Sequence, residues 1–190
     1  MSEPIETVEA LRARYAEPHV RAVKKQLSRL DEHCRRFIEL SPFVVVASSS
    51  GASLDASPRG GAPGFVSVVD DVTLRIPDSK GNNRLDSLAN IITTGRIGLL
   101  FLIPGVDETL RVNGAARVFG ADERTYIEVT VEEAYLHCAK ALMRSRLWSD
   151  DVRQPRGVLP PMGKMLNDQI GDTKPPETQA EMVARYLPDL

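Results

Sequence analysis

The sequence predicts an α+β domain centred on a β-barrel of six or seven short strands with flanking helices, and three observations carry that prediction. Short β-rich stretches separated by Gly, Pro and Asn/Asp turns cluster between residues 43 and 131. Where apolar residues alternate there, they do so with a period of two, which belongs to half-buried strands. The helical stretch inside this region is too short for a series of βαβ crossovers, so the strands pair as antiparallel hairpins.

Taken in order, Val20, Val23, Leu27, Leu30, Cys34 and Phe37 recur at steps of three and four, predicting one amphipathic helix from His19 to Leu40. Pro42 disfavours helical geometry at Ser41, and Phe43-Val-Val-Val46 then reads as a buried strand. Strands follow at Ser53 to Ser57, Phe65 to Val69 and Thr73 to Ile76, separated by turns at Pro58 to Gly64 and Asp70-Asp71. Leu85, Leu88, Ile91 and Ile92 place a helix over Arg84 to Ile92. Ile97 to Ile103 and Thr109 to Phe119 form a hairpin across Pro104-Gly105. Ile127, Val129 and Val131 alternate with Glu128, Thr130 and Glu132 in a last strand, and a helix is expected from about Ala134 to Trp148. The segments from Ser149 to Pro161 and from Gln169 to Pro176 read as extended excursions around short helices, long enough to reach a partner subunit.

Composition narrows the function. Lys plus Arg number 24 against 26 for Asp plus Glu, with no basic run interleaved with aromatics, so nucleic acid is not an expected partner. No apolar run reaches the roughly 20 residues of a membrane-spanning helix. Two cysteines, Cys34 and Cys138, without a C-x-x-C pair or a signal-like segment, suit a reducing cytoplasm. The dinucleotide, Walker, H-E-x-x-H and G-x-S-x-G signatures are missing, and His19, His33 and His137 have no metal-site spacing, so no metal is expected.

The chemistry-bearing stretches are Leu54 to Arg59 and Ile76 to Leu85, each a polar cluster with cations beside a strand end. A phosphate monoester has three oxygens and nearly two negative charges. Arg forks, hydroxyls, amides and helix N-terminal N–H groups meet it best, and Ser57, Arg59, Asn82, Asn83 and Arg84 supply that set. The same residues also read as two polar turns, with Asn83 capping the helix and Arg59 paired to an acid; spacing alone leaves both readings open.

Four blocks occur in order: D-x-S-P-R-G at Asp55 to Gly60, I-P-D-x-x-G-N-x-R-x-D-S-L-x-N-I at Ile76 to Ile91, G-L-L-F-x-I-P-G-x-x-E-T-L-R-V-N-G at Gly98 to Gly114, and H-C-x-K-A-x-x-R-S-x-L-W at His137 to Trp148. Through them the stretch Pro42 to Trp148 resembles the pyridoxamine 5'-phosphate oxidase-like FMN-binding proteins, and more closely the bacterial subgroup called "probable FMN-dependent enzyme". The resemblance implies an antiparallel split β-barrel working as a homodimer with FMN at its interface. It implies three parts: a helical segment over 1–41, the barrel over 42–148, and an extension over 149–190. Asp55, Ser57, Arg59, Ile76, Pro77, Asp78, Asn82, Asn83 and Arg84 would surround the phosphate and ribityl chain. Thr109 and Arg111 would lie beside the isoalloxazine ring, and His137, Lys140, Arg146 and Trp148 would reach it from the other subunit. Trp148 equally reads as packing, and Lys140 or Arg144 as a solvated face. The arginine-histidine element that such oxidases use on pyridoxamine phosphate is missing, so the expected activity is FMN-dependent oxidoreduction of another small molecule. A flavin carrier or sensor without turnover is the alternative, as is a barrel holding deazaflavin, or haem with His137 as axial ligand.

Overall fold

The computed structural model describes residues 3–121 and 124–189. Seven strands run β1 Phe43–Ser49, β2 Leu54–Gly60, β3 Ser67–Val68, β4 Thr73–Pro77, β5 Arg96–Leu102, β6 Thr109–Ala121 and β7 Arg124–His137. All pair antiparallel in one sheet of order β2-β1-β5-β6-β7-β4-β3. This is the predicted split barrel: β2 and β3 are its unpaired edges. The inward residues Val44, Val46, Leu74, Ile76, Leu99, Phe101, Leu110, Val112 and Val129 are almost wholly excluded from solvent.

Helices number in chain order α1 Val8–Arg12, α2 Val20–Lys24, α3 Glu32–Leu40, α4 Asp86–Thr94, α5 Lys140–Ser145, α6 Met162–Ile170 and α7 Gln179–Tyr186. α3 closes the core with Cys34, Phe37 and Ile38, and α4 packs on β1, β2, β5 and β6 through Leu88 and Ile91. A buried hydrogen bond from Asn90 Nδ2 to Ser48 Oγ, 3.1 Å, fixes α4 on β1.

Four elements differ from the sequence expectation, each for a tertiary reason. The helix over His19 to Leu40 is broken between Lys25 and Asp31, because Leu27 exchanges backbone hydrogen bonds with Ala134 of β7. Asp31 then starts α3 afresh by accepting from Cys34 N–H at 2.8 Å. β2 continues through Pro58, Arg59 and Gly60, where a turn was expected; an edge strand tolerates a proline that cannot donate. The helix expected at Arg84 begins at Asp86. Its N-cap is Leu85, in left-handed geometry with φ 59°, and not Asn83.

The fourth difference moves a functional residue. β7 does not give way to a helix at Ala134 but runs to His137, because a bulge opposite Asn113 and Gly114 leaves Glu132 unpaired and shifts the strand's phase. Inward residues are Ile127, Val129 and Val131 before it and Ala134 after it. A Cβ at Gly114 would stand 2.0 Å from the Thr130 carbonyl oxygen, so only glycine fits at this bulge.

Candidate functional site

A cavity of about 660 Å³ opens between β2 and the loop joining β4 to α4. Its size suits a cofactor. On one wall, strand alternation turns Asp55, Ser57 and Arg59 to the same half-buried face of β2. On the other, Asp78, Ser79, Lys80, Gly81, Asn82, Asn83 and Arg84 descend to the first turn of α4.

The loop is shaped by its own side chains. Asn82 Oδ1 accepts from Arg84 N–H at 3.1 Å, an Asx turn, and Asn83 and Leu85 both take positive φ. Left-handed backbone at a β-carbon-bearing residue costs about 1–2 kcal/mol. Ser87 Oγ donates to Asp55 at 2.6 Å and ties the helix start to β2. Arg84 Nε donates to Asp86 at 2.8 Å, which raises its guanidinium pKa, and Lys80 pairs with Asp189 at 2.9 Å.

Arg59, Lys80 and Arg84 line the cavity together with Asp55, Asp78 and Asp86. With Ser57, Asn82, Asn83 and the free N–H groups at the start of α4, the donors form a set that matches a phosphate ester. Arg84 is exposed and its partner Asp86 is its near neighbour, so an incoming phosphate can take the guanidinium over.

Seven residues expected at the site line this cavity: Asp55, Ser57, Arg59, Asp78, Asn82, Asn83 and Arg84. Ile76 does not; its side chain is 1% exposed in the core beneath. Pro77 ends β4 against Tyr126 and is also outside the lining. Lys80 and Ser87 belong to it and were missed, although both lie inside the second sequence block.

Thr109, Arg111 and His137 stand elsewhere, on a ladder where β6 and β7 pair Thr109 with His137 and Arg111 with Tyr135. The Arg111 guanidinium lies 4.6 Å from the Tyr135 ring centre and 3.3 Å from Glu133, and it donates to the Tyr135 hydroxyl. Lys25 Nζ sits 4.9 Å over the same ring and donates to the Leu136 carbonyl at 2.6 Å. Burial, then the positive charges of Arg111 and Lys25, hold His137 below the usual imidazole pKa. Tyr135, Glu133 and Lys25 carry no sequence signal, since their proximity arises only through strand pairing.

Lys140 is exposed at the start of α5, and Arg146 ends that helix in left-handed geometry, paired with Asp151. Trp148 Nε1 donates to the Val106 carbonyl at 2.9 Å. Cys34 and Cys138 are free thiols, and burial followed by Asp31 pushes Cys34 up to about 12. Among the described residues no helix is long and apolar enough to cross a membrane.

A family model described as Pyridoxamine 5'-phosphate oxidase matches residues 30–142. No curated protein matches. Among solved structures, HupZ from Group A Streptococcus is 16% identical with a TM-score of 0.46, the match covering 56% of this chain and 93% of that one. A Clostridium acetobutylicum protein related to general stress protein 26, of the pyridoxinephosphate oxidase family, is 12% identical with a TM-score of 0.43, covering 57% and 90%. The FAD binding protein from Mycobacterium smegmatis is 11% identical with a TM-score of 0.41, covering 57% and 95%.

Proposed function

The chain belongs to the pyridoxamine 5'-phosphate oxidase family, and from that premise we propose that it is an FMN-binding flavoprotein, an FMN-dependent oxidoreductase acting on a small molecule other than pyridoxamine phosphate. The observation that carries the proposal is the cavity between β2 and the β4–α4 loop. Arg84, Asn82, Asn83 and the first N–H groups of α4 would hold the phosphate, Lys80 would add charge, and Ser57 and Arg59 would meet the ribityl chain. Bound there, FMN supplies hydride or electron acceptance. The protein's own contribution is to fix the phosphate end, to neutralise it, and to keep α4 seated through the Ser87–Asp55 and Asn90–Ser48 hydrogen bonds.

The reading includes a homodimer with FMN held at its interface, as the family resemblance implies. A second copy would complete the cavity, with the segments 1–41 and 149–190 flanking a barrel over 42–148. The two free thiols suit a reducing cytoplasm. His137, the candidate haem ligand in the matching blocks, does not line the cavity of its own chain.

The absorbance spectrum of the purified protein, recorded as FMN is added, tests the reading. Saturable binding with a perturbed flavin spectrum is expected. Failure to bind FMN overturns it. Anaerobic reduction of the bound flavin by a nicotinamide cofactor, followed by reoxidation with candidate acceptors, then separates an enzyme from a carrier.

A further inference from the structure

The C-terminal helices are built to hold one another and are barely held by the barrel. A Cβ at Gly163 of α6 would stand 2.6 Å from the Glu177 carbonyl oxygen, so glycine lets the chain leading into α7 lie directly on α6. Asn167 Nδ2 donates to the Lys174 carbonyl at 2.8 Å, and Arg185 forks Glu177 through two nitrogens, each at 2.8 Å. Thr178 and Glu181 cap α7 reciprocally. The last turn, Leu187–Asp189, continues α7, with Leu187 N–H donating to the Val183 carbonyl. Yet neither α6 nor α7 has a buried residue. Among the described residues, one hydrogen bond ties 162–189 to the barrel, from Lys80 Nζ to Asp189 at 2.9 Å.

That contact lands on the cofactor cavity, because Lys80 belongs to its lining. Arg84, another cation there, is held by Asp86, two residues along the chain, whereas Lys80 is held by a carboxylate 109 positions away. The Lys80 side chain is 81% exposed and that of Asp189 43%. An ion pair so open to water is weak and screened by salt. A weak pair joining a self-supporting hairpin to a ligand-binding loop is a contact that a ligand can displace.

We propose that the C-terminal hairpin is a strap that competes with the flavin phosphate for Lys80 and so regulates the cavity, an inference that rests on the proposed function. In one state Lys80 holds Asp189, as in this structure. In the other it holds the phosphate, and the strap lets go. A phosphate monoester carries nearly two negative charges against one for the carboxylate, and it also engages Arg84 and the first N–H groups of α4, so it wins the ammonium. Asp189 is then left beside a like charge and is repelled. The coupling is reciprocal: by the factor that FMN loosens the strap, the strap weakens FMN. Riboflavin, which has no phosphate, stands outside the competition.

The test joins two measurements on the full chain. Fluorescence titration compares FMN and riboflavin affinities, and amide NMR signals of Leu187 and Asp189 follow the strap. Asp189→Asn is expected to tighten FMN binding by about two- to fivefold, the worth of an exposed ion pair, and to leave riboflavin unchanged. The gain disappears when Asp189→Asn is made in a Lys80→Gln background. In the wild-type chain, FMN moves the Leu187 and Asp189 signals saturably toward their positions in Lys80→Gln, where the strap is already free. Inorganic phosphate, which has no ring to shift signals by itself, moves them along the same line. Unchanged or weaker FMN binding in Asp189→Asn, an equal gain for riboflavin, a gain that survives Lys80→Gln, or signals that move with neither ligand overturns the strap. Failure of FMN to bind while phosphate still frees the strap strikes the proposed function alone.

Discussion

The cavity at α4 and the ladder at the end of β6–β7 both gather cations, but they hold them by different means. In the cavity, the donors sit on a loop whose conformation is made by local hydrogen bonds and two residues with positive φ, Asn83 and Leu85. On the ladder, every donor but Lys25 projects from paired strands, and its position follows from register alone. A loop site can adapt to its ligand at the expense of strain, whereas a strand site is rigid and depends on the bulge that aims it.

Both regions rest on one sheet, so the largest expected effect strikes them together. Phe101 is wholly buried near the end of β5, and Phe101→Ala is expected to cost about 3–5 kcal/mol in denaturant unfolding. FMN binding and the His137 titration should then fail at the same denaturant concentration. Retention of either one past the common transition would show that the two regions do not share a frame.

The next effect separates them. Arg84→Ala removes a charged donor from the cavity and should weaken FMN binding by about 1.5–3 kcal/mol, measured by fluorescence titration. The ladder should not respond. Gly114→Ala is the reverse experiment: its Cβ would collide with the Thr130 carbonyl oxygen, at a cost of about 1–3 kcal/mol in stability. His137 and Tyr135 resonances should move, while FMN affinity in the folded protein changes less than threefold. If FMN affinity falls as far as in Arg84→Ala, the two regions are coupled through β6.

The contrast also explains what could be read without a structure. The cavity was legible because Ile76-Pro-Asp-Ser-Lys-Gly-Asn-Asn-Arg is contiguous, and its turn residues state their geometry locally. The ladder was legible only in part. Thr109, Arg111 and His137 were singled out through the family blocks, but Tyr135, Glu133 and Lys25 meet them through pairing, which leaves no local pattern. The bulge itself hid the strand: with inward residues at Val131 and then Ala134, the spacing changes from two to three and imitates the start of a helix. The same blindness joined α2 to α3, since Leu27 fits a helical stripe and is drawn off it only by Ala134 of β7. Pro58 concealed the length of β2 because its tolerance depends on the strand lying at an edge, which is a property of the whole sheet.

The smallest expected effect bears on why the loop is built from a strained residue at all. Leu85 caps α4 with φ 59° and makes no side-chain cap hydrogen bond, while its side chain is 56% exposed at the cavity. Left-handed geometry costs leucine about 1–2 kcal/mol, whereas glycine there would cost roughly 0.5–1 kcal/mol in lost chain entropy. Leu85→Gly should therefore raise stability by up to about 1.5 kcal/mol, read from the denaturation midpoint. If leucine is kept for its cavity-facing side chain, FMN binding should weaken in the same variant that gains stability, an inverse pairing that no ladder substitution should produce. A variant that gains stability and binds FMN unchanged would make Leu85 a local defect of the turn, and the cavity would then owe its shape to Asn82 and Asn83 alone.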